Sequence, residues 1–523
     1  MHNKPSWSIR QSVAFKLWAA LLVGAITSLE AQHLSVEDSQ HDADQAIEFT
    51  FSGGPGHPAD WVGIYSPGEK PGKVGSKAWI YTNGTRKKGG DLSKGKVTFP
   101  GGTLEPGQYE VWFLTANAYE PLAGPVEIQV RPAKVKPGWF VPRIRRIHGV
   151  AGRDYFGRIG AYARSSDHTF QKIGGPAWLS VSNNGMLTGR PGRADIGVNT
   201  FRVRVSDGNR HEDAELVIEI FPSGKENVRE LKVMTYNAWM AWSRMKNGYR
   251  KGLESIILSD ADLIGMQESS GGGKHLPERL ANDLGWHYRK GANGSIGILS
   301  RYPITDESLA AGIALGAKIR LSTAPLREVV LMNCHLDPHH YGPYAAQKEG
   351  ATVKSVMTEE LISRRDDQIE TIIKGMVGLL AESEKTPVFL TGDFNAPSHL
   401  DWTKAAAKEH DGISGVAWPT SMTVVKAGMI DSFREANPDP VRHPGNTWSP
   451  VFRGKEPQDR IDLIYYKGRG LKTVSSKVFT TAVEATLGRE TTATSAVRNN
   501  TWPSDHAAVI STFRLGPAGG GDE

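Results

Sequence analysis

Six apolar stretches in the C-terminal half of the chain are each flanked by a polar residue that can take part in hydrolysis. The stretches have the length and apolar content of buried β-strands. The flanking residues are Asn237, Glu268, His335, Asp393 with Asn395, Asp462, and Asp505 with His506. A single Asn or Asp after a strand is usually a turn former. Because strand ends hold side chains at the edge of a rigid sheet, the whole series predicts one catalytic centre.

The residue types in this series suit the hydrolysis of a phosphoester. A hard cation such as Mg²⁺ takes oxygen ligands from Asp, Glu and Asn, and it neutralises the phosphate oxygens and the leaving group. A carboxylate can orient or deprotonate the attacking water, and an acid can protonate the departing oxygen. The sequence contains no phosphate-binding glycine-rich loop, no HExxH zinc motif and no nucleophile elbow.

The one cysteine of the chain is Cys334, inside the apolar stretch 329–334. A lone cysteine can be a nucleophile. Its apolar neighbours favour a buried strand thiol instead. A single cysteine excludes an intramolecular disulfide. Large exported domains do not need disulfides, because they can bury sizeable cores.

Taken in chain order, these motifs resemble those of the endonuclease/exonuclease/phosphatase superfamily, which has the deoxyribonuclease-I-like fold. The resemblance covers residues 229–515 and includes a further signature at 300–304. The motifs that carry it are Thr235-Tyr236-Asn237, Met266-Gln267-Glu268, Asn333-Cys334-His335-Leu336, Thr391-Gly392-Asp393-Phe394-Asn395, Asp459-Arg460-Ile461-Asp462 and Pro503-Ser504-Asp505-His506. The resemblance implies a four-layered α/β/β/α sandwich, in which two sheets pack together with helices outside and the active site lies at one edge.

The resemblance also implies a role for each residue. Glu268 is the expected principal metal ligand, with Asn237 and Asp505 beside it, and the ion is Mg²⁺ or Mn²⁺. Asp393 is expected to orient or deprotonate the attacking water, and Asn395 to hold the phosphate. His506 is expected to contact the phosphate and act in acid/base steps, with Asp462 fixing its ring and raising its pKa. His335 is expected to be the general acid at the leaving group.

Residues at a few single positions indicate which branches of the superfamily the chain resembles. His335 resembles the deoxyribonuclease, sphingomyelinase, deadenylase and phosphatase branches, since abasic-site endonucleases usually carry Tyr there. Asn395-Ala396-Pro397 and Pro457-Gln458 depart from the inositol-phosphate 5-phosphatase pattern. We expect a nuclease. The alternatives are a sphingomyelinase-like phospholipase or another phosphatase, and, from another class, a surface- or glycan-binding protein with an inactive catalytic-like domain.

For two further features the sequence allows either a functional or a purely structural role. The segment 337–344 is rich in His and Asp and could be a substrate loop, a second metal site or a plain loop. Four tryptophans near motif ends could stack on a base or contact a lipid headgroup, and at least two of them are expected in the core. They are Trp239, Trp242, Trp448 and Trp502.

The elements that position these residues change along the chain. Residues 32–131 alternate apolar and polar side chains and predict an all-β sandwich. A Pro- and Lys-rich linker at 132–142 follows, and residues 143–222 resemble the cadherin-like, Ig-type repeats of bacterial surface and secreted proteins. Asp207 in this second module could bind Ca²⁺ or cap a turn. From 229 onward strands alternate with helices, and an apolar stripe over 358–384 predicts a helix.

The ends of the chain and its charge bear on location and partners. Residues 1–31 have the basic start, short apolar run and small residue of a cleaved signal peptide, which predicts a secreted or periplasmic protein, and residues 516–523 are expected to be a flexible tail. No later stretch is long and apolar enough to cross a membrane. The net charge of +6, and seven Lys/Arg without any Asp or Glu from 131 to 153, predict a polyanionic partner, either nucleic acid or a phospholipid headgroup. The same basic stretch could be a solvated linker. We expect a monomer.

Overall fold

The computed structural model describes residues 31–133, 135–165, 167–271, 274–292, 294–452, 456–482 and 500–516. The predicted signal peptide and tail lie outside these residues, apart from Ala31 and Gly516. The chain divides into two compact units, Met1–Val135 and Lys136–Glu523. This division falls inside the segment predicted as a linker. No helix in the described ranges is long and apolar enough to cross a membrane.

The first unit is built from β-strands. One sheet has the order β1-β3-β6 and the other the order β2-β8-β7-β4-β5. The strands are β1 (His33–Val36), β2 (Gln40–Asp42), β3 (Ile47–Ser52), β4 (Trp61–Tyr65), β5 (Ala78–Tyr81), β6 (Gly95–Phe99), β7 (Gly107–Leu114) and β8 (Pro121–Arg131). Both sheets contribute to one core, with Phe49 and Phe51 from β3 meeting Val62 and Phe113 from β4 and β7. The alternation in the sequence places these side chains on one face of each strand.

The second β-module opens the second unit. Its sheets have the orders β10-β16-β15-β12, with β9 also pairing with β16, and β11-β14-β13. The strands are β9 (Arg143–Arg145), β10 (Gly149–Val150), β11 (Tyr155–Arg158), β12 (Thr169–Gly174), β13 (Leu179–Val181), β14 (Met186–Gly189), β15 (Gly197–Ser206) and β16 (His211–Phe221). Trp139, from the segment predicted as a linker, is buried in this module and donates through Nε1 to the carbonyl oxygen of Glu212 (3.1 Å).

Asp207 lies in the tight turn between β15 and β16. Its Oδ1 accepts from the backbone nitrogen of Arg210 (2.7 Å), and its Oδ2 lies 2.6 Å from Nη2 of the same arginine. These hydrogen bonds and this cation hold the pKa of Asp207 at about 2. Asp207 therefore caps its own turn, which is one of the two roles that the sequence allows for it, and Ca²⁺ in a β-module stays a prediction.

Two large mixed sheets form the centre of the C-terminal part. The first has the order β21-β22-β18-β17-β31-β30, and the second has the order β23-β25-β26-β27-β29-β28, with β24 pairing with β25. The first contains β17 (Glu230–Asn237), β18 (Leu263–Gln267), β21 (His287–Lys290), β22 (Gly297–Ser300), β30 (Leu471–Phe479) and β31 (Ala508–Leu515). The second contains β23 (Ile304–Asp306), β24 (Ala310–Ala311), β25 (Ala314–Thr323), β26 (Leu326–His335), β27 (Val388–Asp393), β28 (Ile430–Asp431) and β29 (Asp462–Lys467). A small hairpin, β19 (Ser270–Gly271) and β20 (Lys274–His275), stands apart from both.

Helices cover the outer faces of these two sheets. They are α1 (Gly248–Ser259), α2 (Leu276–Leu284), α3 (Gly342–Ala346), α4 (Val353–Glu360), α5 (Arg365–Ala381), α6 (Pro419–Lys426) and α7 (Ser432–Ala436). The sheets share one core, in which Val233 meets Leu331 and Phe389. On the outer faces, α1 and α2 pack on the first sheet, and α5 and α6 pack on the second. The layers therefore follow the order helix, sheet, sheet, helix.

The helix predicted over 358–384 is interrupted. Helix α4 ends at Glu360 and α5 begins at Arg365, because the hydroxyl of Ser363 donates to the carbonyl oxygen of Glu360 (2.7 Å) and Asp337 accepts from the backbone nitrogen of Arg364 (3.2 Å). The apolar stripe faces the core only within α5, where Ile369 is buried. Leu361, which precedes α5, is 55% exposed.

The second β-module and the sheets that follow it form one compact unit. Nη2 of Arg145 lies 2.6 Å from Oδ1 of Asp262, and its Nε lies 3.0 Å from Oδ2 of Asp260. Arg301, from the signature at 300–304, donates to Asp260 (2.8 Å) and to the carbonyl oxygen of Arg145 (2.7 Å). A cluster of paired charges therefore joins the module to the first large sheet.

This pairing changes the interpretation of the basic stretch 131–153. Four of its arginines face carboxylates, as ion pairs between Arg131 and Asp42, Arg143 and Glu215, Arg145 and Asp260, and Arg153 and Glu226. Internal pairing of these arginines leaves less positive charge for a polyanion than the sequence predicts.

Candidate active site

Strand register brings the predicted residues to one edge of the paired sheets. In the second sheet, His335 pairs with Asp393 and Asp393 pairs with Asp462, so three neighbouring strands present them side by side. In the first sheet, Asn237 is paired with Gln267, directly before Glu268. Asp505 and His506 immediately precede β31. Both sheets thus deliver functional side chains to the same edge.

Asp393 lies at the centre of this group and is 1% exposed. Its Oδ2 accepts from Nδ2 of Asn237 (2.9 Å) and lies 3.4 Å from Nε2 of His335 and 3.7 Å from Nε2 of His506. Burial alone would raise the pKa of Asp393, but the two imidazoles and the Asn395 amide outweigh burial and hold it at about 2. Asp393 is therefore an ionised carboxylate facing two imidazoles.

His506 is held by a second carboxylate behind it. Its Nδ1 lies 2.9 Å from Oδ2 of Asp462, and both residues are buried. Burial works to lower the pKa of His506, but the charges of Asp462 and Asp393 outweigh it and raise that pKa to about 10. The ring therefore carries a proton and presents Nε2 towards Asp393.

His335 is less buried than the rest of the group, with 17% of its side chain exposed. Burial acts to lower its pKa, and the hydrogen bond and charge of Asp393 raise it above the ordinary value overall. A protonated imidazole that can be reached by a ligand is what a general acid requires.

Glu268 and Asp505 supply the carboxylate oxygens that a cation would use. Oδ1 of Asp505 is buried and has no hydrogen-bond partner among the described residues. Burial raises the pKa of Asp505 to about 7, and the negative charges of Glu268 and Asp393 add to this rise. A buried carboxylate oxygen without a donor, beside two further carboxylates, fits a site for a hard cation.

Asn237 meets Glu268 through its amide nitrogen, at 3.2 Å from Oε1. Its amide oxygen accepts from the backbone nitrogen of Trp239 (2.9 Å), and the second oxygen of Glu268 accepts from the backbone nitrogen of Met240 (2.9 Å). In this orientation Asn237 is a donor that links Glu268 to Asp393, with one lone pair of its oxygen left over.

Asp393, Asp462 and His506 are close enough together for one ion to be held between them, within 4.8 Å of one another. These three were predicted as catalytic residues and not as metal ligands. The hydrogen bond between His506 and Asp462 already accounts for their proximity.

Asn395 lies beside the group in a left-handed backbone conformation, with φ of 48°. Its backbone nitrogen donates to Oδ1 of Asp393 (2.9 Å), and its side-chain nitrogen donates to the carbonyl oxygen of Leu336 (3.0 Å). The second side-chain hydrogen is available for a phosphate oxygen.

Two of the four tryptophans near the motif ends are buried in the core, and the other two are partly exposed. Trp242 and Trp502 are 1% and 0% exposed and belong to the core. Trp239 and Trp448 are partly exposed, and the ring of Trp448 lies 4.7 Å from the ring of His506. Phe452, which the sequence did not single out, lies 6.1 Å from Trp239 and 6.4 Å from Trp448. We call Trp239, Trp448 and Phe452 the aromatic rim. In the sequence, the feature that could have indicated Phe452 is its position only a few residues after Trp448.

A buried polar network supports the site from between the sheets. Oδ1 of Asn333 accepts from Nε2 of Gln267 (2.6 Å) and from Oγ1 of Thr391 (3.2 Å). A Cβ added to Gly265 would collide with both Thr391 and Asn333. These contacts fix the ends of β18, β26 and β27 relative to one another, just before Glu268, His335 and Asp393.

The segment 337–344 does not gather its histidines at one point. His339 pairs with Asp337 (2.6 Å) and His340 pairs with Glu359 (3.1 Å). No group suited to a metal was found there among the described residues. Cys334 is fully buried, and burial raises the pKa of its thiol, so it is a core residue.

The chain is similar to several known proteins. An uncharacterized protein of Caenorhabditis elegans is 31% identical over 299 residues, which cover 54% of this chain and 91% of that protein. A 3′ phosphatase from Neisseria, solved with a product DNA hairpin, is 18% identical with a TM-score of 0.35, over 54% of this chain and 98% of that one. An AP endonuclease from Archaeoglobus fulgidus is 16% identical with a TM-score of 0.35, over the same shares of each chain. The model of the Endonuclease/Exonuclease/phosphatase family matches residues 234–506, just over half of the sequence, and the chain belongs to that family.

Proposed function

We propose that this protein is a secreted, metal-dependent phosphodiesterase that cleaves nucleic acid. The observation that carries the proposal is the position of Asp393, an ionised carboxylate between the imidazoles of His335 and His506. An ionised carboxylate facing two imidazoles whose pKa values are raised pairs a group that can activate water with groups that can donate protons.

The residues divide the work of hydrolysis. Asp393 orients or deprotonates the attacking water. His506, fixed by Asp462, contacts the phosphate oxygens and stabilises their charge, and Asn395 donates to the same phosphate. His335, the more exposed imidazole, protonates the departing oxygen.

Glu268 and Asp505 would hold Mg²⁺ or Mn²⁺, with Asn237 beside Glu268. The unpartnered oxygen of Asp505 supports this assignment. When bound, such an ion supplies positive charge that stabilises the phosphate oxygens and the leaving group.

The aromatic rim supports a polynucleotide as the substrate. Trp239, Trp448 and Phe452 offer partly exposed rings that contact one another in turn, and the ring of Trp448 lies next to the imidazole of His506. Bases stack on such rings without sequence preference, at about 1–3 kcal/mol per base. A nuclease that accepts many sequences needs this kind of contact.

The proposal also includes the residues that precede the catalytic part of the chain. Residues 1–31 act as a signal peptide, and the mature protein works outside the cytoplasm as a monomer. The two β-modules are Ig-like sandwiches, which suits the paired sheets of the first unit and their common core.

Hydrolysis by the purified protein tests the proposal. The panel is plasmid DNA, RNA, sphingomyelin vesicles and bis-(p-nitrophenyl) phosphate, each with Mg²⁺ and with Mn²⁺. We expect cleavage of nucleic acid that is lost in His506→Ala and Glu268→Ala and retained in Glu278→Ala, whose carboxylate is exposed and pairs with Lys290. Sphingomyelin hydrolysis without nucleic-acid cleavage would assign the protein to the lipase branch. Equal inertness of wild type and variants would support the binding-protein alternative.

A further inference from the structure

A cavity of about 980 Å³ lies between the second β-module and helices α1 and α2. The module contributes Arg158 and Phe170 to its wall, and the catalytic part contributes Tyr249, Arg250 and Arg279. Its volume is at the upper end of the range of roughly 300–1,000 Å³ that is usual for ligand pockets. Neither part of the chain would form this cavity alone.

The wall of this junction cavity is positively charged. It carries Arg158, Arg250 and Arg279, and Asp283 is a carboxylate in the same wall. Oδ2 of Asp283 accepts from the hydroxyl of Tyr249 (2.5 Å). The excess of guanidinium groups attracts an anion, and guanidinium binds phosphate, as it binds carboxylate, through paired hydrogen bonds.

Arg158 and Arg279 contact uncharged groups, whereas Arg250 also interacts with the carboxylate of Glu254. Arg158 donates to the carbonyl oxygen of Asn282 (2.7 Å) and Arg250 to that of Ala163 (3.2 Å). The guanidinium of Arg279 lies over the ring of Tyr249, 3.4 Å from its centroid. Each group keeps further N–H donors for a ligand.

The cavity is connected to the catalytic edge by a short piece of chain. The loop that leaves Asn237 passes through Met240, whose nitrogen binds Glu268 (2.9 Å), and reaches the cavity wall at Ala241 and Trp242. From residue 238 to residue 253 the sequence has four Lys/Arg and no Asp or Glu. This segment comprises the loop and the start of α1 and ends directly before Glu254. An anionic chain that lies across the active site would meet this basic segment before it reaches the cavity.

The module that closes the cavity is fixed in place. Arg145 and Arg301 join it to Asp260 and Asp262, and Arg146 donates to the carbonyl oxygen of Leu284, at the end of α2 (3.2 Å). Walls held by these ion pairs and hydrogen bonds form a preorganised site, which loses little entropy when a ligand binds.

We propose that this junction cavity binds the phosphate groups of a single polynucleotide strand on one side of the cleaved bond, so that the second β-module is part of the substrate-binding surface. This inference rests on the proposed function, since it names where its substrate extends. Arg158 and Arg279 contact phosphates from opposite walls, and the partly exposed ring of Tyr249 provides apolar surface for the attached nucleoside.

The test uses the full chain with Arg158→Gln and Arg279→Gln, singly and together. Both side chains are exposed, so folding is expected to persist, which a thermal melt checks. The matched control is Arg190→Gln, an exposed arginine of the same module that pairs with Asp154. Binding of a fluorescein-labelled oligothymidylate is measured by anisotropy with EDTA, over a series of salt concentrations. Hydrolysis of bis-(p-nitrophenyl) phosphate with Mg²⁺ is measured separately.

We expect the double variant to bind the oligonucleotide about tenfold more weakly, with the slope of log K against log salt reduced by about 1.4. Turnover of the small diester stays at the wild-type level, because it does not reach the cavity. Unchanged oligonucleotide binding in the double variant, with normal small-diester turnover, would overturn this inference and leave the proposed function standing. A wild type that turns over the small diester but does not bind the oligonucleotide would overturn both the inference and the choice of nucleic acid. An equal loss of affinity in Arg190→Gln would attribute the effect to general charge and also overturn the inference.

Discussion

Nδ1 of His506 lies 2.9 Å from Oδ2 of Asp462, while Nε2 of the same ring faces Asp393 at 3.7 Å. The ring is held from behind by one carboxylate and directed towards another. A carboxylate in this position fixes the tautomer and orientation of the ring and stabilises its protonated form. The pair is therefore expected to decide whether His506 can act.

Asp462→Asn should reduce kcat on a phosphodiester by roughly 10²–10⁴-fold, because the ring loses its orienting charge. KM should change little, since Asp462 is fully buried and does not reach the substrate. Steady-state kinetics on bis-(p-nitrophenyl) phosphate measure both. Asp459→Asn is the matched control, a buried aspartate three residues earlier that binds Tyr341 and Trp402 instead. Equal loss of kcat in the two variants would contradict a specific role for Asp462.

Mg²⁺ should raise the melting temperature of the protein, and EDTA should abolish its activity. Binding to the folded state adds about 2.7 kcal/mol of stability at roughly 100 times Kd. Glu268→Gln and Asp505→Asn should lose most of this thermal shift, since each removes a carboxylate oxygen from the cation site. Glu278→Gln, which changes an exposed glutamate, should retain it. Full retention of the shift in both site variants would show that the ion binds elsewhere.

Arg301→Met should lower the free energy of unfolding by about 1–3 kcal/mol, because the carbonyl oxygens of Ala261 and Arg145 lose the guanidinium that donates to them. The Arg301 side chain is 2% exposed and bonds Asp260, and its contacts join the second β-module to the first large sheet. Urea unfolding followed by tryptophan fluorescence measures the change. Arg202→Met, at an exposed arginine of the module, should cost less than about 0.5 kcal/mol. A variant as stable as wild type would show that this cluster does not hold the module.

Asp459 should make the protein less stable as the pH rises from 4 to 7. Burial raises its pKa in the folded protein from 3.8 to about 7, although the hydrogen bonds from Tyr341 and Trp402 oppose the rise. Because the folded state holds this proton more tightly than the unfolded state, its contribution is complete below about pH 4 and is lost as the pH passes through 7. Three pKa units correspond to at most about 4 kcal/mol.

Unfolding experiments on wild type and Asp459→Asn at pH 4 and pH 8 isolate this contribution. The variant should gain stability relative to wild type on going to pH 8, since Asn does not ionise. Asp91→Asn, at an exposed position that is not among the charges acting on Asp459, should show no such gain. A constant difference between wild type and Asp459→Asn across this pH range would refute the raised pKa.

The types and order of the site residues were readable in the sequence, because each follows or opens an apolar strand and strand patterns depend on neighbours within a few positions. The layered α/β architecture of residues 229–515 was readable for the same reason. The break between α4 and α5 was not, since it depends on Asp337, which accepts from a backbone nitrogen 27 residues away in the chain. Phe452 gave too weak a signal for the aromatic rim, because its partner Trp239 is distant in sequence.

The sequence by itself determined which groups could do chemistry: carboxylates, carboxamides and imidazoles in a fixed order along the chain. Only the tertiary structure decided what those groups face. Asn237 and Asp393 are 156 residues apart and meet at 2.9 Å, because two sheets packed through a common core bring distant strand ends to one edge. The partner of Arg145 was also decided by the tertiary structure. The sequence placed Arg145 in a basic stretch expected to attract a polyanion, but in the structure it pairs with Asp260, 115 residues away in the chain. A charge is a local property of a residue, but its partner is set by the packing of whole sheets.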